Sequence, residues 1–338
     1  MAASGRQERF KVLVTDYAWP SLEVEEGVLW PIADLVVPPD RKEETFVKLA
    51  PDVHAIMVNW AQVSERMVQA AERCVILCRY GVGIDNLPVD LATKLGILVS
   101  NIPDYCVDEV TDHAMGLLIA LNRRIFQFDT LVRAGRAGEM ELGLPVLRLR
   151  GRKLGIVGLG RIGRLMAQKA VAFDMEVAAC DPYVSEESAR EAGVQKVDLA
   201  QLLMESDFVS IHAPLTPETR GLIGEPELRR MKPSAFLINV ARGPLVQTDA
   251  LVRALRERWI AGAGLDVLET EPVPSGHPLL DLDNVTLTPH VAFFSQQSVE
   301  ELTRRCAQQV RDVLEGRMPE NLRNPEVLPK ARARLQPT

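Results

Sequence analysis

The chain lacks any apolar run of about 18 residues, the length that a membrane-spanning helix needs. It also lacks the short apolar segment that a secretory signal peptide carries near its N-terminus. The first residues, Met1 to Glu8, are polar, and an apolar run begins only at Phe10. These absences argue against a membrane partner and against secretion. We therefore expect a cytoplasmic protein.

Basic charge and cysteine are also scarce. The formal net charge is −7, with 47% hydrophobic and 25% charged residues, so we expect a soluble globular protein without a basic surface for nucleic acid. The five cysteines are an odd set with no C-x-x-C or other metal-ligand spacing. We interpret them as buried thiols in a reducing compartment and expect no metal site.

The length and the order of the segments predict two α/β domains. A chain of 338 residues can bury two cores of ordinary size. Short apolar runs rich in β-branched residues alternate with helix-like stretches such as 63–72 and 89–95, a pattern typical of parallel sheets. The first five runs cover 10–15, 33–37, 53–58, 74–78 and 97–99.

The alternation pauses after this block and then restarts. A helix with an apolar face is predicted from Val107, and an irregular stretch over 126–150 follows it. A final amphipathic helix is predicted over about 296–315. The second set of strands is predicted at 154–157, 176–180, 208–211, 235–240, 262–266 and 285–287.

The most specific motif lies near the middle of the chain, where an apolar strand runs into G-x-G-x-x-G. In a dinucleotide-binding turn, Gly158 permits the tight turn, Gly160 lets the phosphates approach the backbone, and Gly163 lets the next helix pack closely. Since such glycine patterns also arise by chance, the motif alone is weak evidence for a dinucleotide site, and a second feature is needed to support it. Its central position indicates that the preceding hundred or so residues form a partner domain, which we interpret as binding substrate.

Asp181 supplies the second feature. It ends an apolar strand 18 residues after Gly163, close to the spacing of about 20 expected for a carboxylate that binds the adenosine ribose. A carboxylate there repels a 2′-phosphate, and Pro182 rather than an arginine follows it, so NAD is favoured over NADP. The alternative interpretation is a turn aspartate before proline.

Three charged or titratable residues follow strands of the second block: Arg242, Glu271 and His290. Ligands of open α/β sheets bind at the carboxyl ends of the strands. Each residue alone has an ordinary structural explanation: a surface ion pair, an acidic loop or a buried histidine. Together they match the needs of ketone reduction, which are a cationic clamp, a proton donor and a group that keeps the donor protonated. We expect Glu271 to raise the pKa of His290.

These motifs resemble, in their order along the chain, those of the D-isomer-specific 2-hydroxyacid dehydrogenases. The shared motifs are the glycine turn, Asp181-Pro182, Val240-Ala241-Arg242-Gly243, the segment from Asp266 to Glu271-Pro272, and Thr288-Pro289-His290. The segments 79–86 and 101–106 resemble the branch that includes the C-terminal binding proteins. The resemblance covers nearly the whole chain.

The resemblance implies an α/β fold in which a Rossmann NAD-binding domain, 105–298, is inserted into a flavodoxin-like substrate-binding domain, 1–104 with 299–338. It also implies a homodimer, formed through the helix and arm at about 107–150. Arg242, Glu271 and His290 are then the catalytic residues. Asp266 is the contact to the nicotinamide carboxamide.

The resemblance assigns further binding residues. Arg161 and Ile162 present amides to the pyrophosphate, and His212 is a wall residue of the adenine pocket rather than a second base. Asn59, Trp60 and Phe293 are expected at the substrate, although Trp60 could simply be packing. The other expected cofactor residues are Ala213, Pro214, Thr219, Val240, Ala241, Val82 and Thr111, and the other expected substrate residues are Arg79, Tyr80, Gly81, Val82 and Gly83.

Gly81 to Gly83 also fit a strand-end turn with structural glycines. Phe293 stands where the C-terminal binding proteins have tryptophan; its smaller ring predicts a substrate pocket that accepts a different or bulkier side chain, apolar or aromatic. The leading hypothesis is an NAD-dependent D-2-hydroxyacid dehydrogenase that interconverts a 2-oxo acid and the (R)-2-hydroxy acid. The alternatives are an NADH-sensing scaffold of the corepressor kind and an enzyme acting on a small substrate such as formate or phosphite.

Overall fold

In the computed structural model, which describes residues 9–30, 32–140, 146–333 and 335, the chain forms two compact units. One comprises Met1–Tyr105 and Ser295–Thr338, and the other comprises Cys106–Phe294. The second boundary lies at Ser295 rather than at residue 299. Ser295 is the N-cap of a helix over Gln296–Leu314, the C-terminal helix, and its hydroxyl accepts a hydrogen bond from the Ser298 amide at 2.9 Å.

The first unit contains a five-stranded parallel sheet, as the alternation of segments predicts. The strand order is β2-β1-β3-β4-β5, the flavodoxin-like order, which confirms that part of the predicted fold class. The strands are β1 (Phe10–Val14), β2 (Ala33–Val36), β3 (Ala55–Val58), β4 (Ile76–Arg79) and β5 (Leu98–Ser100).

Helices cover this sheet, and the C-terminal helix returns to it. That helix packs on the first helix of the chain and on β4, so residues from both ends of the sequence build one core. The apolar strands β3 and β4 are wholly buried, as expected for a parallel sheet covered on both faces. The remaining helices are α1 (Glu23–Leu29), α2 (Glu43–Leu49), α3 (Glu65–Ala70) and α4 (Val89–Lys94).

The second unit contains a seven-stranded parallel sheet in the order β12-β11-β10-β9-β6-β7-β8. Read from β8, the order reverses direction between β6 and β9, which is the arrangement of the Rossmann fold. The strands are β6 (Lys153–Val157), β7 (Glu176–Cys180), β8 (Gln195–Lys196), β9 (Phe208–Ile211), β10 (Phe236–Asn239), β11 (Gly262–Leu265) and β12 (Val285–Leu287). The sequence predicts six of these strands and misses β8, which has only two residues.

The helix predicted from Val107 is present as α5 (Val107–Arg123), and the apolar positions Val110, Ala114, Leu117 and Leu121 are buried. It packs against the helix over Arg161–Ala172 and against β10 and β11, all in its own unit. The other helices are α6 (Ile125–Arg133), α7 (Arg161–Ala172), α8 (Glu186–Glu191), α9 (Leu199–Glu205), α10 (Glu225–Arg230) and α11 (Thr248–Arg256).

Helix α6 corrects the prediction of an irregular stretch over 126–150. Arg124 adopts φ 54°, a left-handed conformation that ends α5 and starts α6 in a new direction. No residue of this short helix is buried. Residues 141–145 of the predicted arm lie outside the described residues.

Four of the five cysteines are buried, as predicted, and Cys180 is half-buried. Within the ranges described above, no helix has the length and apolarity that a membrane crossing requires.

Candidate active site

The glycine motif forms a tight turn between β6 and α7. Gly158 has φ 95°, and a Cβ atom at this position would lie 2.7 Å from the amide nitrogen of Ala213. A Cβ atom on Gly163 would lie 2.2 Å from the carbonyl oxygen of Gly158. Both positions therefore require glycine, the first for conformation and the second for close packing of α7 on the turn.

Gly160 differs from its two neighbours in the motif. A Cβ atom on Gly160 would meet no atom within 4 Å, so the structure itself does not demand glycine there. Gly160 is the N-cap of α7, and Arg161 and Ile162 are the first residues of that helix, whose amides lack acceptors within the helix. This open space beside helix amides suits a pyrophosphate.

Asp181, at the end of β7, is tied to the glycine turn. One carboxylate oxygen accepts a hydrogen bond from the Leu159 amide at 2.8 Å, and the other accepts from the Tyr183 amide at 2.9 Å. Asp181 thus fixes the turn that includes Pro182, in addition to its predicted contact with the ribose. The negative charge of Asp181 therefore lies beside the glycine turn.

A cavity of about 680 Å³ opens beside this turn, a volume typical of small-molecule sites. Thr219 helps to shape its wall, since its hydroxyl donates to the Pro214 carbonyl at 2.7 Å and accepts from the Thr216 amide at 2.8 Å. Six predicted cofactor residues line the cavity: Gly158, Asp181, Pro182, Ala213, Pro214 and Thr219. The site therefore fits the adenosine part of NAD.

The same cavity includes residues that the sequence interpretation missed. Tyr183, which is 95% exposed, and Lys196 both line it. Tyr183 follows Asp181-Pro182 directly, so its position next to the motif is a usable signal. Lys196 lies on β8, and only the order of strands in the sheet shows that it is close.

His212 is not positioned as a second acid or base. Its Nε2 lies 2.9 Å from the Ser210 hydroxyl, and burial lowers the pKa of His212 to about 4. The ring is therefore neutral near pH 7 and a poor proton donor. His212 is not among the residues that line the cavity, so its assignment to the wall of the adenine pocket stays a prediction.

The loop after β10 is held by Asn239, which is buried. Its side chain accepts from the Ala241 amide at 3.1 Å and donates to the Arg242 carbonyl at 2.9 Å. Arg242 also donates from Nη1 to the Ala241 carbonyl at 2.8 Å. Gly243 follows, and its Cβ atom would lie 1.9 Å from the Leu268 carbonyl carbon, so the glycine lets the loops after β10 and β11 touch.

Those two loops and the loop after β12 bring the predicted catalytic residues together. Glu271 Oε2 lies 2.6 Å from His290 Nδ1, and Glu271 Oε1 accepts the Leu268 amide at 2.9 Å. Burial raises the pKa of Glu271, but the hydrogen bond and charge of His290, the Leu268 amide and the charge of Arg242 outweigh it and lower the pKa. Glu271 is therefore a carboxylate at neutral pH.

Asp266 organises the loop that carries His290. Asp266 is 2% exposed. Its Oδ1 accepts from the Thr288 hydroxyl at 2.6 Å and from the Val291 amide at 2.9 Å, and its Oδ2 accepts from the Ala292 amide at 2.8 Å. The His290 amide also donates to the Asp266 carbonyl at 2.8 Å. The sequence interpretation assigned Asp266 to the nicotinamide and missed this role in the loop.

In the first unit, the loop after β4 contains the predicted substrate residues Arg79, Gly81, Val82 and Gly83. Gly81 has φ 140°, and a Cβ atom there would lie 1.2 Å from Arg79 Nη1, so glycine leaves room for the guanidinium. The Asn101 side chain donates to the Val82 carbonyl at 2.6 Å and fixes the loop. Structural glycines and a binding loop are both compatible with this arrangement.

After β3, the amides of Asn59 and Trp60 donate to the two carboxylate oxygens of Asp16, at 3.1 and 2.8 Å. The Trp60 side chain is exposed, whereas Asn59 is buried. In the second unit, Phe293 is half-buried and packs edge-to-face on Phe294, with ring centroids 6.4 Å apart.

Tyr80 and Thr111 are not placed to bind ligands. Tyr80 is wholly buried, and its hydroxyl donates to Glu25 Oε1 at 3.0 Å, because the residue after Arg79 points into the core of the first unit. Thr111 is also wholly buried; its hydroxyl donates to the Val107 carbonyl within α5 and accepts from Lys169 Nζ at 2.6 Å. These placements correct the predictions of a substrate contact for Tyr80 and a cofactor contact for Thr111.

Across the residues that the structure covers, no group of three or more His, Cys, Asp or Glu side chains is arranged to hold a metal ion.

Comparison with known proteins agrees with this geometry. The family model for the NAD-binding domain of the D-isomer specific 2-hydroxyacid dehydrogenases matches residues 115–292. A glyoxylate reductase of Korarchaeum cryptofilum is 42% identical over 297 residues, covering 86% of this chain and 88% of the relative.

Solved structures show the same two-domain architecture. A glyoxylate reductase of Paecilomyes thermophila has a TM-score of 0.84 at 30% identity, covering 94% of this chain and 99% of that one. The D-lactate dehydrogenase of Aquifex aeolicus, solved with NAD and lactic acid, has a TM-score of 0.83 at 28% identity, covering 93% and 98%. None of these relatives is a C-terminal binding protein, so that branch stays a prediction.

A Rossmann unit with a fitting dinucleotide turn, inserted in sequence into a flavodoxin-like unit, is thus shared with enzymes that interconvert 2-oxo and 2-hydroxy acids with a nicotinamide cofactor. The chain belongs to the family of D-isomer specific 2-hydroxyacid dehydrogenases.

Proposed function

We propose that the protein reduces glyoxylate or a similarly small 2-oxo acid, with His290 as the proton donor, Glu271 as its partner and Arg242 as the clamp on substrate. The observation that carries the proposal is the 2.6 Å contact between His290 Nδ1 and Glu271 Oε2, in a loop cluster that includes Arg242. Glyoxylate is chosen because relatives at 42% and 40% identity are glyoxylate reductases.

Arg242 supplies the positive charge of the site. Its guanidinium carries several N–H donors in a fixed plane, which suits a carboxylate and an adjacent carbonyl oxygen at once. Negative charge grows on that oxygen as the carbonyl is reduced, so the guanidinium stabilises the transition state more than the ground state. The bond from Arg242 Nη1 to the Ala241 carbonyl holds the side chain in position for this task.

His290 donates the proton. Its Nδ1 bonds to Glu271, so the ring is oriented with Nε2 on the side away from that carboxylate. The negative charge of Glu271 stabilises the protonated ring, and Nε2–H then passes its proton to the carbonyl oxygen. A bound NADH supplies the hydride that reaches the carbonyl carbon. In the reverse direction, neutral His290 accepts the hydroxyl proton of the 2-hydroxy acid.

A panel assay tests the proposal. NADH oxidation is measured with 2-oxo acids of increasing side-chain size, beginning with glyoxylate, and NADH binding is measured separately. We expect the highest kcat/KM for the smallest acids. Saturable NADH binding with no turnover on any 2-oxo acid would reject the proposal and favour an NADH-sensing scaffold.

The role of Arg242 is tested by Arg242→Ala. We expect a loss of both substrate affinity and kcat, with kcat/KM lower by about two orders of magnitude or more, as for other removed electrostatic donors. The matched control is Arg253→Ala, which removes an exposed α11 arginine whose partner is Glu225 at 2.8 Å. An equal effect of the two substitutions would remove Arg242 from the site.

The proposal includes a homodimer in a reducing, cytoplasmic compartment. Exposed apolar side chains on α6 support the dimer, with Ile125 48%, Phe126 53% and Val132 61% exposed. Free, mostly buried thiols are consistent with the compartment. Light scattering coupled to gel filtration tests the dimer, and a mass of one chain at micromolar concentration would exclude it.

A further inference from the structure

A hydrogen-bonded chain leads from helix α5 to the loop that carries His290. His113 Nε2 lies 2.9 Å from the Thr288 hydroxyl, and that hydroxyl donates to Asp266 Oδ1 at 2.6 Å. His113 Nε2 is itself 3.6 Å from Asp266 Oδ1. We name this chain, His113 to Thr288 to Asp266, the relay. It lies wholly within the second unit.

The partners fix the direction of each bond in the relay. Both carboxylate oxygens of Asp266 already accept backbone amides, from Val291 and Ala292, so Asp266 acts as an acceptor. Thr288 has a single hydroxyl proton, and it is directed to Asp266. The Thr288 oxygen must then accept from His113, which requires a proton on His113 Nε2.

The far end of the relay holds His290. The amides of Val291 and Ala292, the two residues after His290, bond to the Asp266 carboxylate, and the His290 amide bonds to the Asp266 carbonyl at 2.8 Å. His290 has φ 55°, which a residue other than glycine adopts only when its surroundings hold it. The direction of the His290 ring therefore depends on Asp266.

We propose that His113 is a positioning residue for proton transfer, acting on His290 through Thr288 and Asp266. The inference rests on the proposed role of His290. His113 donates to the Thr288 oxygen and thereby keeps the hydroxyl proton of Thr288 directed to Asp266. Without that donor the Thr288 oxygen loses a hydrogen bond, the bond that its hydroxyl donates to the buried Asp266 weakens, and the loop that holds His290 loosens.

A double-mutant cycle tests the relay in the full-length protein. His113→Phe removes the donor, Thr288→Val removes the hydroxyl, and both keep the approximate side-chain size. We expect each to lower kcat for glyoxylate by about tenfold, the value of one well-placed hydrogen bond, with little change in KM for NADH. Because the relay acts as one unit, the double variant should resemble Thr288→Val alone.

Conservative variants and a control complete the cycle. His113→Gln keeps an N–H donor near the position of Nε2, and Thr288→Ser keeps the hydroxyl, so each should restore most of kcat. His54→Phe is the matched control, since His54 accepts a hydrogen bond from the Lys11 amide at 3.1 Å in the first unit. Additive losses, or a loss in His113→Gln equal to that in His113→Phe, would overturn the proposal. If His113→Phe does not fold, the Thr288→Val and Thr288→Ser pair tests the hydroxyl, and the ¹⁵N resonance of His113 tests the donor.

Nuclear magnetic resonance of histidine labelled with ¹⁵N tests the bond direction without cofactor or substrate. The chain has only five histidines, so each ring can be assigned with single substitutions. We expect the His113 ring to carry a proton on Nε2; a neutral ring with its proton on Nδ1 would refute the relay. Full turnover by His290→Ala would reject the proposed function instead, and the resonance result distinguishes the two failures.

Discussion

Gly160 and Gly163 lie three residues apart in the dinucleotide motif, yet alanine at the two positions should affect different properties. Gly163→Ala should lower stability, whereas Gly160→Ala should weaken NADH binding. In Gly163→Ala the new Cβ would lie 2.2 Å from the Gly158 carbonyl oxygen, so α7 must move away from the turn by roughly 1 Å. Overpacking of this kind costs about 1–3 kcal/mol, and the better helix propensity of alanine returns up to about 1 kcal/mol. Because the clash is with a backbone atom, the upper part of the overpacking range applies, and we expect a net loss of about 1–2 kcal/mol in the free energy of unfolding.

In Gly160→Ala the Cβ meets no protein atom within 4 Å and φ −74° suits alanine, so the expected loss of stability is that of alanine in place of glycine at an N-cap, about 1 kcal/mol or less. The same Cβ occupies space that the pyrophosphate needs. Loss of a hydrogen bond to a charged group costs about 1.5–3 kcal/mol, which corresponds to a Kd for NADH higher by roughly 10- to 100-fold.

Urea unfolding and calorimetric titration with NADH measure the two effects separately. The predicted result is that Gly163→Ala is less stable than Gly160→Ala, whereas Gly160→Ala is folded but binds NADH poorly. An unchanged Kd for NADH in Gly160→Ala would refute the placement of the pyrophosphate at this turn. Unchanged stability in Gly163→Ala would refute the close packing of α7.

Two further predictions concern charge. Asp181→Asn removes the negative charge beside the cavity but keeps an acceptor for a backbone amide. The preference for NADH over NADPH, measured as a ratio of kcat/KM values, should therefore fall by about tenfold. An unchanged ratio would place the ribose carboxylate elsewhere. Burial raises the pKa of Glu25, and this effect outweighs the hydrogen bonds from Tyr80 and Trp19, which lower it. Protonated Glu25 therefore stabilises the fold, and this contribution to stability is lost as pH rises through the raised pKa. Urea unfolding between pH 5 and pH 9 should therefore show a smaller loss of stability for Glu25→Gln than for the natural chain. Equal losses would contradict a raised pKa of Glu25.

The sequence predicts the fold and the main chemistry of the site because parallel strands have a simple signal. Arg242, Glu271 and His290 each follow an apolar run, and in a parallel sheet such positions meet at one edge. The structure brings them together in the loops after β10, β11 and β12. The spacing from Gly163 to Asp181 similarly places the carboxylate next to the glycine turn.

The errors arise where a partner distant in sequence determines burial. Tyr80 follows Arg79 in a segment that resembles a binding loop, but its hydroxyl bonds to Glu25, 55 residues earlier. Thr111 lies on the face of α5 that meets Lys169 of α7. Neither partner can be identified from the local pattern.

The relay is hidden from the sequence for the same reason. His113 and Thr288 are 175 residues apart, and the helical pattern of α5 gives His113 no special status. Only the packing of α5 against β11, the strand that leads to Asp266, brings the three residues together.

Single-turnover reduction of glyoxylate by protein loaded with NADH tests the central claim most directly, because it isolates the chemical step from product release. The measurement compares the natural chain with His290→Ala, after NADH binding has been shown to be equal. The account predicts that His290→Ala is slower by about two to four orders of magnitude, as expected for the loss of a general acid. A rate within about twofold of the natural chain would contradict it.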